Sequence, residues 1–179
     1  FDYWPRFSKI SKSSGESRVL RHNGAAILFA ENIVGTSTVM IRRNALQNAD
    51  NSLQIENIFD ERLRSAEDWD LWIRLALSGH IGFINRPLAV YLMRPGSESG
   101  NIPARLQTMQ LLINRYGSLV GDVNPKAVYL ANGRLATGFA EYYRSTKQPL
   151  KAFVAHVKAF WLAPSQRLAK AVAADMVQL

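Results

Sequence analysis

The chain has 179 residues, 47% of them apolar and 20% charged, a composition that fits a folded globular protein of one domain or two small ones and excludes long disorder. There is no cysteine, so a disulfide framework and a thiolate zinc site are both excluded, and the three histidines (His22, His80, His156) are too dispersed to form a cluster. The net charge of +8 is unevenly spread: residues 1 to 100 carry 12 basic and 11 acidic groups, while residues 101 to 179 carry 10 basic and 3 acidic, a local surplus of +7.

Such a surplus attracts anionic lipid headgroups, nucleic acid or an acidic partner, or is simply a solvated surface. Nucleic acid is the weakest of these readings, because no recognisable motif accompanies the charge and the aromatic residues occupy apolar helix positions rather than sites among the lysines. The longest apolar run, Ala25 to Ala30, is six residues, against about 20 needed to cross a bilayer. The opening Phe1-Asp2-Tyr3-Trp4-Pro5 has no basic start, no apolar core of a signal peptide and no initiator Met, so Phe1 reads as a cut through a longer cytoplasmic protein.

In chain order, residues 5 to 24 are rich in Ser, Lys, Arg and Gly and read as an exposed loop or hairpin. Ala25 to Asn32 predicts a short helix, and the β-branched run Thr36 to Arg42 predicts a strand. Asn44 to Asn57 predicts loop after one helical turn at Ala45-Leu46. Ser65-Ala66-Glu67-Asp68 has the form of a capping box, which predicts a helix from Ser65 to Ser78 stopped by Gly79. Two short strands, Ile81 to Ile84 and Leu88 to Leu92, then flank an Arg86-Pro87 turn.

After Gly100 the period becomes helical. Leu106, Met109, Ile113 and Tyr116 share a face that ends at Gly117, and Asn124-Pro125 opens a helix carrying Val128, Ala131, Leu135, Phe139 and Tyr142. Pro149 opens another, whose Leu150, Phe153, Val154, Val157, Phe160 and Trp161 form an apolar stripe expected to face a core. Pro164-Ser165 opens the last, with Leu168, Val172, Met176 and Leu179 on one face. Short links between these helices imply antiparallel packing.

Residues 33 to 100 carry the chemistry. The succession TSTVMIRR (36 to 43), FDERL (59 to 63), EDWDLWIRLA (67 to 76), PLAVY (87 to 91) and RPGSES (94 to 99) resembles the second half of bacterial family 2 glycosyltransferases. The resemblance implies an α/β fold: residues 1 to 100 as the acceptor-side part of a GT-A domain, followed by an α-helical tail over residues 101 to 179. It also implies inverting transfer of a sugar from a nucleotide-sugar donor to a hydroxyl of a glycan or lipid-linked acceptor, with this piece inactive alone.

The same resemblance places the family's Glu-Asp signature on Glu67 and Asp68. It makes Asp68 the general base that takes the acceptor's proton as its oxygen attacks the anomeric carbon, with Glu67 and Trp69 at the acceptor. Helix capping is the competing role for Asp68. Core packing is the competing role for Trp69 and the favoured one for Trp72, and Asp70 is expected to pair with Arg74 at i,i+4. In the loop 94 to 99 this chain has Arg94 where the family often has His. Arg94 would then meet the donor diphosphate directly, since a guanidinium cannot ligate a cation, with Ser97 beside it; a turn is the competing role for Ser97 and the one that spacing alone favours. The implied Mg2+ or Mn2+ would be held mainly by residues absent from this chain. The alternative function is a non-catalytic helical module that docks a partner or the inner face of the membrane through its basic tail.

Overall fold

A computed structural model describes residues 12–14, 17–20, 24–48, 58–63, 65–84, 86–90 and 101–178. Helices dominate. A short hairpin, β1 (Lys12–Ser14) and β2 (Ser17–Leu20), precedes helices α1 (Gly24–Ala30), α2 (Arg43–Asn48) and α3 (Glu67–Ser78). Strand β3 (Ile81–Ile84) follows, and then four helices: α4 (Ile102–Val123), α5 (Pro125–Ser145), α6 (Pro149–Leu162) and α7 (Gln166–Met176).

The α/β GT-A-type class implied by the resemblance is overturned. Among the described residues the sheet is one small antiparallel unit of order β1-β2-β3, with Val19 opposite Gly82, and the rest of the regular structure is helical. Thr36 to Arg42, expected as a strand, instead begins with a 3-10 turn at Thr36–Thr38, where the Thr38 hydroxyl donates to the Gly35 carbonyl at 2.7 Å. Beyond it, Val39 and Ile41 pack against the Leu71, Trp72 and Leu75 side of α3. Strand propensity expresses fit to a pleated surface with a paired neighbour, and among the described residues no strand is paired with 36–42. Leu88 and Val90 likewise form no strand and are exposed. Gly79 does end α3, but in extended backbone (φ −155°) rather than a left-handed cap.

α3 is buried on two sides. Trp69 and Ile73 join a core with Phe29, Leu106, Leu112, Tyr116, Val120 and Leu135, while Leu71, Trp72, Leu75 and Ala76 join a second one with Leu28. The first core therefore runs without a break from α1 and α3 into α4 and α5. α4 continues past Gly117 to Val123 because Val120, fully buried, extends the same apolar face. A mid-helix glycine costs about 1 kcal/mol, which burying a valine side chain offsets at about 1.5 kcal/mol or more.

α5 and α6 pack closely through small residues: Gly133, Ala136 and Ala140 on one, Ala152 and Ala159 on the other, all buried. A Cβ added at Gly133 would lie 2.9 Å from the Ala163 Cβ. This contact reverses the orientation expected for α6. Its small face, with His156, turns inward, while Leu150, Val154, Phe160 and Trp161 are exposed. The buried Asp175 of α7 binds His156 Nδ1 at 2.5 Å and Arg144 Nε of α5 at 2.6 Å, joining the last three helices through one carboxylate.

Candidate functional site

The first turn of α3 holds Glu67, Asp68 and Asp70, acidic groups that suit the positive end of a helix. The capping box expected from Ser65 does not form: the residue at the N-cap is Ala66, with no side-chain cap, and Ala66 lies in the left-handed region (φ 57°, ψ 32°). That conformation costs a residue with a Cβ about 1–2 kcal/mol. Asp68 is half-buried, and its carboxylate is directed to the segment after α1. One oxygen accepts from the Thr36 hydroxyl, and the other lies 3.5 Å from the Asn32 side-chain amide. Glu67, Asn32 and Thr36 are all exposed, so this carboxylate sits at the rim of the molecule.

Asp70 occupies the opposite environment. It is 1% exposed and accepts from Arg74 Nε at 2.8 Å, Arg115 at 2.7 Å and the Tyr116 hydroxyl at 2.7 Å. The expected pair with Arg74 is present, and two residues of α4 complete the coordination of the carboxylate. Arg115 also reaches Asp60 at 2.9 Å, and Arg74 donates to the Ile58 carbonyl at 2.7 Å. Arg62 and Arg115 hold the Asp60 carboxyl well below the usual carboxylate range. Burial, together with the hydrogen bond to Asp70, pushes the Tyr116 hydroxyl up to about 12.

The other wall of the site is fixed from α5. Arg134 donates to the Ala30 carbonyl at the end of α1 at 2.9 Å and pairs with Glu31, next to Asn32. Arg115, Tyr116 and Arg134 thus hold both pieces of backbone that bring Asp68, Asn32 and Thr36 together. Sequence reasoning missed them. For Arg134 a signal existed, a cation within the buried stripe of Ala127, Ala131 and Leu135.

Trp69 is buried, with its indole N–H donating to the Leu28 carbonyl at 2.5 Å, so its ring belongs to the core and not to an open cleft. Trp72 is buried as well. Arg94 and Ser97 lie outside the described residues. Among the described residues no three His, Asp or Glu side chains converge on a cation position. No described helix is long and apolar enough to cross a membrane. Comparison with known proteins gave no match, whether to a family model, a curated protein or a solved structure.

Proposed function

We propose that this chain supplies the acceptor side of an inverting glycosyl transfer, with Asp68 as the general base. The observation that carries the reading is the state of the Asp68 carboxylate. An ionised carboxylate has about four acceptor positions; one side-chain donor lies at each Asp68 oxygen, and neither closes a helix cap. Two lone pairs remain at the rim, where an acceptor hydroxyl can approach within hydrogen-bond reach. A sugar hydroxyl is a weak acid, so the base must take its proton while the new C–O bond forms and the anomeric bond to the nucleoside diphosphate breaks on the opposite face, and a carboxylate held by Thr36 and Asn32 is oriented for that.

The strained Ala66 immediately before the Glu67-Asp68 pair adds support, since backbone strain concentrates where function over-determines the conformation. Glu67, exposed on the same turn, is the acceptor-facing neighbour. On this reading the nucleotide sugar is bound by residues outside the chain, and the reading rests on the EDWDLW string and the Asp68 geometry rather than on a sheet. The test is turnover of the full-length protein with a nucleotide-sugar donor. Asp68→Asn should cut transfer about 100-fold or more while donor affinity changes little. Wild-type turnover in that variant would sink the proposal.

A further inference from the structure

α6 is apolar on both sides. Its inward side is lined by Ala152, His156 and Ala159, and its outward side presents Leu150, Val154 and Trp161, which are 63%, 59% and 81% exposed. A helix that is apolar all round is normally enclosed, and an outward row of this kind marks a surface that binds something. The surrounding charge is mostly basic, with Glu141 of α5 lying 3.7 Å from Arg167. From residue 146 onward the basic side chains Lys147, Lys151, Lys158, Arg167 and Lys170 are all exposed, whereas the only acid, Asp175, is buried and paired. Lys151 and Lys158 border the apolar row on α6 itself, on aliphatic stems long enough to reach past it; the Lys151 ammonium donates to Gln148 Oε1 at 2.7 Å and lies over the Tyr143 ring, contacts it would exchange for phosphate.

We propose that the outward face of α6 docks on an anionic lipid surface, lying in the plane of the headgroups with Leu150, Val154 and Trp161 inserted among the acyl chains and the lysines on the phosphates. Charge complementarity selects this occupant. A second copy of the chain would bring the same lysines into opposition, whereas an acidic bilayer attracts each one by about 1 kcal/mol. Indole is also well suited to the boundary, with an apolar body and one N–H donor. The inference stands whether or not Asp68 acts as a base.

The experiment uses the 179-residue chain and vesicles of three parts phosphatidylcholine to one part phosphatidylserine, with phosphatidylcholine alone as comparison. The expected result is sedimentation with the acidic vesicles only, release as salt shortens the screening length below about 8 Å, and quenching of tryptophan emission by brominated acyl chains. Because the altered side chains face outward, Leu150→Ser/Trp161→Ser and Lys151→Glu/Lys158→Glu should keep the wild-type helical circular dichroism, yet each should bind about tenfold more weakly or worse. Absence of binding to acidic vesicles would overturn the proposal. So would binding by both variants equal to that of the unaltered chain, or a concentration-dependent dimer that Trp161→Ser abolishes in a chain that ignores vesicles.

Discussion

Asp68 and Asp70 are two positions apart on one helix, and at about 100° per residue they point to nearly opposite sides. One reaches the rim, where it meets Thr36 and Asn32; the other enters the core, where it meets Arg74, Arg115 and Tyr116. Their amides should therefore fail differently. Asp70→Asn removes the buried negative charge that Arg74, 13% exposed, pairs with, while Arg115 keeps Asp60, and should destabilise the chain by about 3 kcal/mol in urea unfolding. Asp68→Asn removes only a favourable charge at the first turn and should cost about 1 kcal/mol or less. Similar losses for both would mean that Asp68 is as structural as its neighbour. The i,i+4 partner Arg74 was readable from the sequence because the helix alone sets that distance. Arg115 and Tyr116 were not, since no local pattern encodes contacts made 45 and 46 residues away.

At the level of elements, the starts of the last three helices were legible because caps and prolines act locally: Pro125, Pro149 and Ser165 all stand at helix starts. What could not be read was which side of a helix meets its neighbour. In α6 the large side chains make the stronger apolar signal, but close approach to Gly133 favours the small ones. The strand expected at Thr36 failed for a related reason, since pairing depends on which segment the rest of the fold brings alongside, and here Val39 and Ile41 meet α3 instead of a strand. Gly133 gives the packing a direct test. An alanine there gains about 1 kcal/mol in helix propensity, but its methyl would press on the Ala163 Cβ, carried directly on the backbone, and overpacking of that kind costs about 1–3 kcal/mol. Gly133→Ala should lower Tm, and by more than Gly138→Ala, whose new methyl would meet only the flexible end of Leu106. The reverse order would mean that α5 and α6 are less closely fitted than their small residues indicate.

For the whole molecule, the decisive feature is the core that runs from Phe29, Trp69 and Ile73 into Leu106, Leu112, Val120 and Leu135. Residues 1–100 expressed alone would leave that apolar surface uncovered and Asp70 without Arg115 and Tyr116. They should show no cooperative thermal transition, whereas the 179-residue chain should melt with one transition common to helical dichroism and tryptophan emission. A folded 1–100 segment would show that the shared core is dispensable. The same continuity orders events in time. During synthesis α1 and α3 leave the ribosome well before Leu135 and Arg134, an interval of several seconds at about 5–20 residues per second. Until then Phe29 and Trp69 have nothing to pack on from α4 and α5, and the segment bearing Asn32 is not anchored. The nascent protein thus passes through a sticky stage in which a chaperone has something to hold, and the arrangement around Asp68 is assembled only when the later helices arrive.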